Sequence, residues 1–435
     1  MEEPLWLRKH REIMEFLDKH DPKRRFRFRG DLAQKFSRLR EELRDGFIEY
    51  ILGSEVKVAK KWIKKLTSEI EELISNYNLQ GVLFSKELRS FLEDPYAHLR
   101  KKIFNYMYDL FREKIDHEEF ERVAGAALRT SLRTNMRSIY QTWVLASILN
   151  ILYEYGSYIV YPEHGYLSFE RSGKQKLGWI PPNVVVYVKG RGFLSFFIEA
   201  PRPIGWEDSQ DLKRAWSFYT ALRPDILVYG GKVLNIVKLG HDPPIERPHV
   251  IVECKELEEW HVRIRDMRGP FAKPLTAEEW RSKWIQGLWD GLADILGVKR
   301  TEAVETVKEK KTLRLREYQV VTLYSRFYKP DIMILIARAK TPKEIKEKLL
   351  RENILTIDGV GFGKSRLKRV VKILLDKAKP EAGKIALEIP WETYAKIQAL
   401  QRKLMLSRRA ALEVEEVIDK IVDFALENID KLKQH

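Results

Sequence analysis

Five short runs rich in β-branched and aromatic residues follow one another closely: VVVYVKG (184–190), FLSFFIEA (193–200), PDILVYGG (224–231), VLNIVKLG (233–240) and HVIVECKE (249–256). Glycine and proline break the chain between them, the punctuation expected of strands. Helical periodicity intervenes at about 207–221 and 276–297, and a further strand is expected within DIMILIARAK (331–340). Strands interleaved with helices predict an α/β fold with a central mixed sheet flanked by helices. The flanking regions differ. Residues 1 to about 150 read as almost wholly helical, with apolar positions recurring every three or four residues in stretches such as EVKVAKKWIKKLTSEIEELISNY (55–77). Beyond 380 comes KIALEIP (384–390), alternating apolar and polar residues, and then two amphipathic helices near 391–406 and 411–429. This divides the chain into a basic, all-α N-terminal domain (1–136), a sheet-containing core (137–380) and a small β-α-α module (381–435).

Charge narrows the function classes. The formal net charge is +16 in a chain that is 33% charged, and a basic surface attracts phosphate polymers, anionic membranes or acidic proteins. No run of eighteen apolar residues is present, so no membrane span is expected. The N-terminus, MEEPLWLRKHREIMEF, lacks a secretory apolar region, and a cytoplasmic location is expected. The single cysteine, Cys254, excludes an internal disulfide and a Cys-based zinc finger. Abundant Lys, Arg and Glu also match thermophile usage.

The chemistry concentrates at Pro224-Asp225 and Glu253-Cys254-Lys255. Asp225 opens one apolar run, while Glu253 and Lys255 close another. Side chains alternate along a strand, so Glu253 and Lys255 share a face and Cys254 takes the other. If the two strands pair, Asp225 stands beside Glu253 at one end of the sheet. Two carboxylates can hold a hard divalent cation, and a neighbouring lysine can stabilise charge that develops on a phosphate. The Cys254 backbone carbonyl could complete the coordination.

PD at 224–225 and ECK at 253–255 resemble the PD-(D/E)XK nuclease superfamily over roughly residues 140–370. The resemblance implies a restriction-endonuclease-like core and Mg²⁺- or Mn²⁺-dependent hydrolysis of DNA phosphodiester bonds. It implies Asp225 and Glu253 as metal ligands and Lys255 as catalytic. Glu154 is the best match for an acidic residue on a preceding helix, and Gln286 for a glutamine on a following one. The alternative is a non-catalytic dimeric DNA-binding protein on a decayed nuclease core. Glu199, which ends FLSFFIEA, is another acidic strand terminus that could line the site, whereas Asp331 in a second Pro-Asp pair has no ExK partner and reads as a strand start.

Other segments bear on substrate binding. KRRFRFRG (23–30) alternates Lys23, Arg24, Arg25, Arg27 and Arg29 with aromatics that could stack on bases. Arg122, Arg129, Arg133 and Arg137 share one helical face. Tyr140 and Trp143 read as core, and His164, His249 and His261 as surface or structural. DGVGFGKS (358–365) resembles a phosphate loop but has Asp358 where Walker A requires glycine, leaving a simple turn, a DNA-backbone contact or ATP binding as readings. The module at 381–435 resembles ribbon-helix-helix proteins, which implies a homodimer. Its outward ribbon residues Lys384, Ala386 and Glu388 suit DNA reading poorly.

Overall fold

The computed structural model describes residues 3–172, 179–200, 223–237, 246–267, 313–381, 389–408 and 412–428, with positions 293, 298–299 and 301–302. By compactness the chain forms two units, Met1–Ser68 with Phe84–Trp143, and Glu69–Leu83 with Val144–His435. The C-terminal helices fall within the second unit.

The first unit is helical. It holds α1 (Leu5–His20), α2 (Gly30–Leu52), most of α3 (Glu55–Tyr77), α4 (Lys86–Glu93), α5 (Pro95–Lys102), α6 (Phe104–Phe111) and the first part of α7 (His117–Tyr153). Local rules account for its boundaries. Ser85 caps α4 by accepting the Leu88 N–H at 3.3 Å. Asp94 caps α5 by accepting the Tyr96 and Ala97 N–H groups, with Pro95 at the first helical position. Helix α1 buries Trp6, His10, Ile13, Phe16 and Leu17, a stripe at helical spacing. Residues 139–152 of α7 are buried all round, Tyr140 and Trp143 included.

The second unit is built on a mixed sheet of seven strands flanked by helices. Its strands are β2 (Ser157–Tyr161), β4 (Val184–Val188), β5 (Gly192–Ile198), β6 (Ile226–Gly230), β7 (Val250–Lys255), β10 (Ile332–Ala337) and β11 (Ile354–Ile357). The order is β11-β10-β7-β6-β5-β4-β2; β2, β4, β5, β6 and β7 pair antiparallel with their neighbours in that order, and β10 and β11 join β7 in parallel. Strands β6 and β7 are buried along their whole length, which explains runs that are continuously apolar rather than alternating. Short pairs lie outside this sheet: β1 (Gly81–Leu83) with β3 (Tyr166–Ser168), and β8 (Ile264–Met267) with β9 (Leu313–Arg316).

Helix α8 (Glu317–Tyr328) follows β9 directly. Its Val320, Val321, Tyr324, Phe327 and Tyr328 join Leu227, Tyr229, Ile251, Met333 and Leu335 in one core. Burying each such large apolar side chain stabilises the fold by about 1.5–3 kcal/mol. Further on come α9 (Lys343–Arg351), α10 (Leu367–Leu375), α11 (Trp391–Arg408) and α12 (Val414–Glu427), the last two where the amphipathic pattern predicted helices.

One expected strand is not seen in the described part of its run. Within VLNIVKLG, residues 233–236 are irregular, and 238–240 lie outside the described residues. Side chains take the bonds a ladder would need: Asn235 Oδ1 accepts from the N–H groups of Ile180 and Val237, and Ser195 Oγ accepts from that of Val233. The helix expected at 207–221, nearly all of that at 276–297, and ribbon positions 384–388 also lie outside the described residues.

Candidate active site

Antiparallel pairing of β6 and β7 sets Ile226 opposite Val252, which brings Asp225, just before β6, against Glu253 near the end of β7. The two residues clasp each other through the backbone. Asp225 Oδ2 accepts the Cys254 N–H at 2.7 Å, and the Asp225 N–H donates to Glu253 Oε2 at 3.1 Å. Lys255 turns to the face Glu253 occupies, as two-residue spacing requires, and its Nζ donates to Glu253 Oε1 at 2.8 Å. The same ammonium donates to Glu317 Oε1 at 2.7 Å and lies 5.9 Å from the centre of the Trp260 ring. Asp225, Glu253 and Lys255 are only 1%, 2% and 5% exposed.

This setting fixes the charge on Lys255. Burial alone would favour the neutral amine, but the carboxylates of Glu253, Glu317 and Asp225 outweigh it and hold the pKa above the ordinary lysine value. Arg265 Nη1 stands 3.7 Å from the same Glu317 oxygen and donates to the Tyr324 hydroxyl at 3.3 Å. Burial pushes the Tyr324 phenol up to about 12, so it stays protonated across the working range.

Among the described residues, no group of three His, Cys, Asp or Glu side chains stands at metal-holding spacing. The donors on offer are two carboxylates and a backbone carbonyl. The Lys255 carbonyl accepts the Arg338 N–H at 2.8 Å on the β10 side. Successive residues of a strand direct their N–H and C=O to opposite edges, so the Cys254 carbonyl faces the β6 side, where its N–H meets Asp225. An all-oxygen set of this kind fits a hard cation that keeps most of its waters.

The remaining candidates divide. Glu199 adjoins the clasp: its N–H donates to the Asp225 carbonyl at 2.9 Å, its backbone takes a left-handed φ of 42°, and its side chain pairs with Arg171. A positive φ in a residue with a Cβ stores strain, a feature that clusters at functional sites. Glu154 follows α7 and pairs with Lys368 at 3.1 Å; among the described residues no bond joins it to the trio. Gln286 lies outside the described residues. Asp331 binds Arg247 and Lys377, at 2.8 and 3.0 Å, as a strand-start residue would. The loop after β11 is a turn. Its Gly359, Val360 and Gly361 N–H groups donate to the carbonyls of Ala339, Ala337 and Arg338, which leaves those amides none to offer a phosphate.

In the helical unit, the 23–30 segment is only half what its pattern suggests. Phe26 packs on Phe36 and Tyr108, and Phe28 on Phe16 and Phe36, so these half-buried rings are partly engaged with the helical core. Arg24 pairs with Asp18, while Lys23, Arg25, Arg27 and Arg29 are exposed. On α7, Arg129 and Arg133 are exposed, Arg137 is half-buried, and Arg122 pairs with Glu119 at 2.6 Å.

Compared with protein-family models, curated proteins and solved structures, the chain matches none. The residue that sequence reading missed is Glu317. It heads the buried stripe of α8, three and four residues before Val320 and Val321 and seven before Tyr324. An acid in line with an apolar stripe was the available signal.

Proposed function

We propose that the chain is a metal-dependent nuclease that hydrolyses DNA phosphodiester bonds on a restriction-endonuclease-like core. The observation that carries this is the buried cluster of Asp225, Glu253 and Lys255 at one end of two paired strands. Asp225, Glu253 and the Cys254 carbonyl would hold Mg²⁺ or Mn²⁺. When bound, the ion supplies Lewis acidity to a phosphoryl oxygen and acidifies a water. Lys255, kept charged by its carboxylate neighbours, faces the negative charge that grows on the phosphate. Glu253 orients Lys255 through one carboxylate oxygen and Asp225 through the other.

The test is Asp225→Ala. Metal-dependent DNA cleavage should disappear while DNA binding in EDTA stays close to wild type; a variant that cuts at the full rate contradicts the assignment. One observation favours a second reading, a non-catalytic DNA-binding protein. Lys255 is bonded to both Glu253 and Glu317, as in a structural ion cluster. Tight binding that ignores divalent metal, with no cleavage under any condition, would establish that reading. In either case the C-terminal module is proposed to make a homodimer, which light scattering of the intact chain checks.

A further inference from the structure

The end of the sheet that carries Lys255 extends over two more strands. Because β7, β10 and β11 are parallel, their C-terminal ends lie on one side, and the loops 338–342 and 358–366 border the candidate site. Neighbouring strands are about 4.8 Å apart, so β11 ends about 10 Å from β7. Three nucleotide steps of a DNA strand span about that distance.

Both loops are firmly held. The Arg338 N–H donates to the Lys255 carbonyl, and its guanidinium reaches the Glu256 carbonyl at 2.6 Å and the Glu258 carboxylate at 3.3 Å. The amides of 359–361 close onto 337–339, with Gly359 and Gly361 at φ of 62° and 56°. With these amides turned inward, what faces outward is cationic. Lys340 is exposed and lies over Gly359, where an added Cβ would sit 3.6 Å from Lys340 Cγ. Arg366, Arg369 and Lys372 recur every third residue on the exposed side of α10 and the turn before it, opposite buried Leu367, Val370, Val371 and Leu374. The neighbouring lysines are neutralised: Lys364 by Glu69 and Glu72, and Lys368 by Glu154. Lys340, Arg366 and Arg369 have no acidic partner among the described residues.

We propose that Lys340, Arg366 and Arg369 form a track for the sugar–phosphate backbone of duplex DNA, leading to the cluster at Asp225, Glu253 and Lys255. The place of the cut rests on the nuclease reading; the contact itself rests on topology and charge. Contact through side chains, not loop amides, makes binding sensitive to charge and salt but indifferent to base sequence.

The experiment measures binding of a short DNA duplex to the full chain in EDTA over a range of salt. Lys340→Glu/Arg366→Glu/Arg369→Glu should weaken binding at least about tenfold and flatten the slope of log affinity against log salt by about 2 to 3, since each phosphate contact contributes about 0.9. The triple glutamine variant should flatten the slope in the same direction, and it keeps the test readable if charge reversal disturbs folding. Reversal of the exposed Lys57 and Lys61 on α3 should cost less. Unchanged affinity and slope in both triple variants would overturn the track, as would binding to duplex RNA alone. Weakened binding in a protein that never cuts DNA would keep the track and remove the nuclease reading. Cleavage abolished by Glu253→Ala, with binding indifferent to the triple changes, would keep the nuclease and remove the track.

Discussion

At the scale of single residues, the ion cluster explains both what was legible and what was not. Asp225, Glu253 and Lys255 could be read from sequence because strand alternation fixes which side chains share a face. Glu317 could not, because an acid in the first turn of a helix is ordinarily solvated and favoured by the helix dipole. Its one local signal is its place in line with the buried stripe of α8, and what it faces depends on where α8 packs. The pairing predicts a measurable coupling. Lys255→Met removes the buried ammonium bonded to Glu253 and Glu317 and should cost about 3–5 kcal/mol in denaturant unfolding. Adding Glu317→Gln should restore part of that loss, with a coupling of about 0.5–3 kcal/mol in the double-mutant cycle; strict additivity would mean that the two groups do not interact. A second residue, His10, sets a pH dependence. Burial first, and then the neighbouring His117 at 3.0 Å, lower its pKa from 6.5 to about 4. The folded chain therefore takes up this proton later than the unfolded chain. Its contribution is complete above pH 6.5, declines as pH falls toward 4 and is constant below that. At most about 3 kcal/mol is at stake. Unfolding followed between those pH values should show a loss in the wild type that is reduced in His10→Phe.

At the scale of elements, the strands were legible wherever both faces are buried, since β6 and β10 need unbroken apolar runs and β7 departs from one only at its Glu253-Cys254-Lys255 end. The irregular course of 233–236 has a local cause: Asn235 and Ser195 bind backbone groups that a ladder would have used. In 23–30 the period-two alternation was real, but the aromatic side turned toward Phe16, Phe36 and Tyr108. Parallel attachment of β10 and β11 was not legible, because order within a sheet is decided by packing rather than by local sequence. That attachment brings the 358–366 loop to the candidate site. A close approach elsewhere in the sheet gives another prediction. A Cβ at Gly230 would lie 1.9 Å from the Lys377 carbonyl oxygen, whereas one at Gly190, with φ of 69°, meets nothing within 4 Å. Gly230→Ala should therefore cost about 2–4 kcal/mol through forced displacement. Gly190→Ala should cost only about 1 kcal/mol, from its backbone conformation. Equal losses in the two variants would show that the 377–380 segment yields easily.

At the scale of the molecule, a net charge of +16 is carried by two units. The helical unit exposes Arg25, Arg27, Arg29, Arg129 and Arg133, and the sheet unit exposes Lys340, Arg366, Arg369 and Lys372. Among the described residues no helix is long and apolar enough to cross a membrane. Association with DNA should weaken steeply with salt whichever unit dominates. Composition points to a polyanion as the proposed partner, and the two carboxylates and the lysine point to the proposed reaction. The proposed nuclease joins these features in one enzyme. Its most direct test is incubation of circular and linear DNA, single- and double-stranded, with Mg²⁺, Mn²⁺ or EDTA, comparing wild type with Glu253→Ala. Cutting by the wild type should require the metal and vanish in the variant. Equal cutting by both proteins, or none by the wild type with either metal, would contradict it.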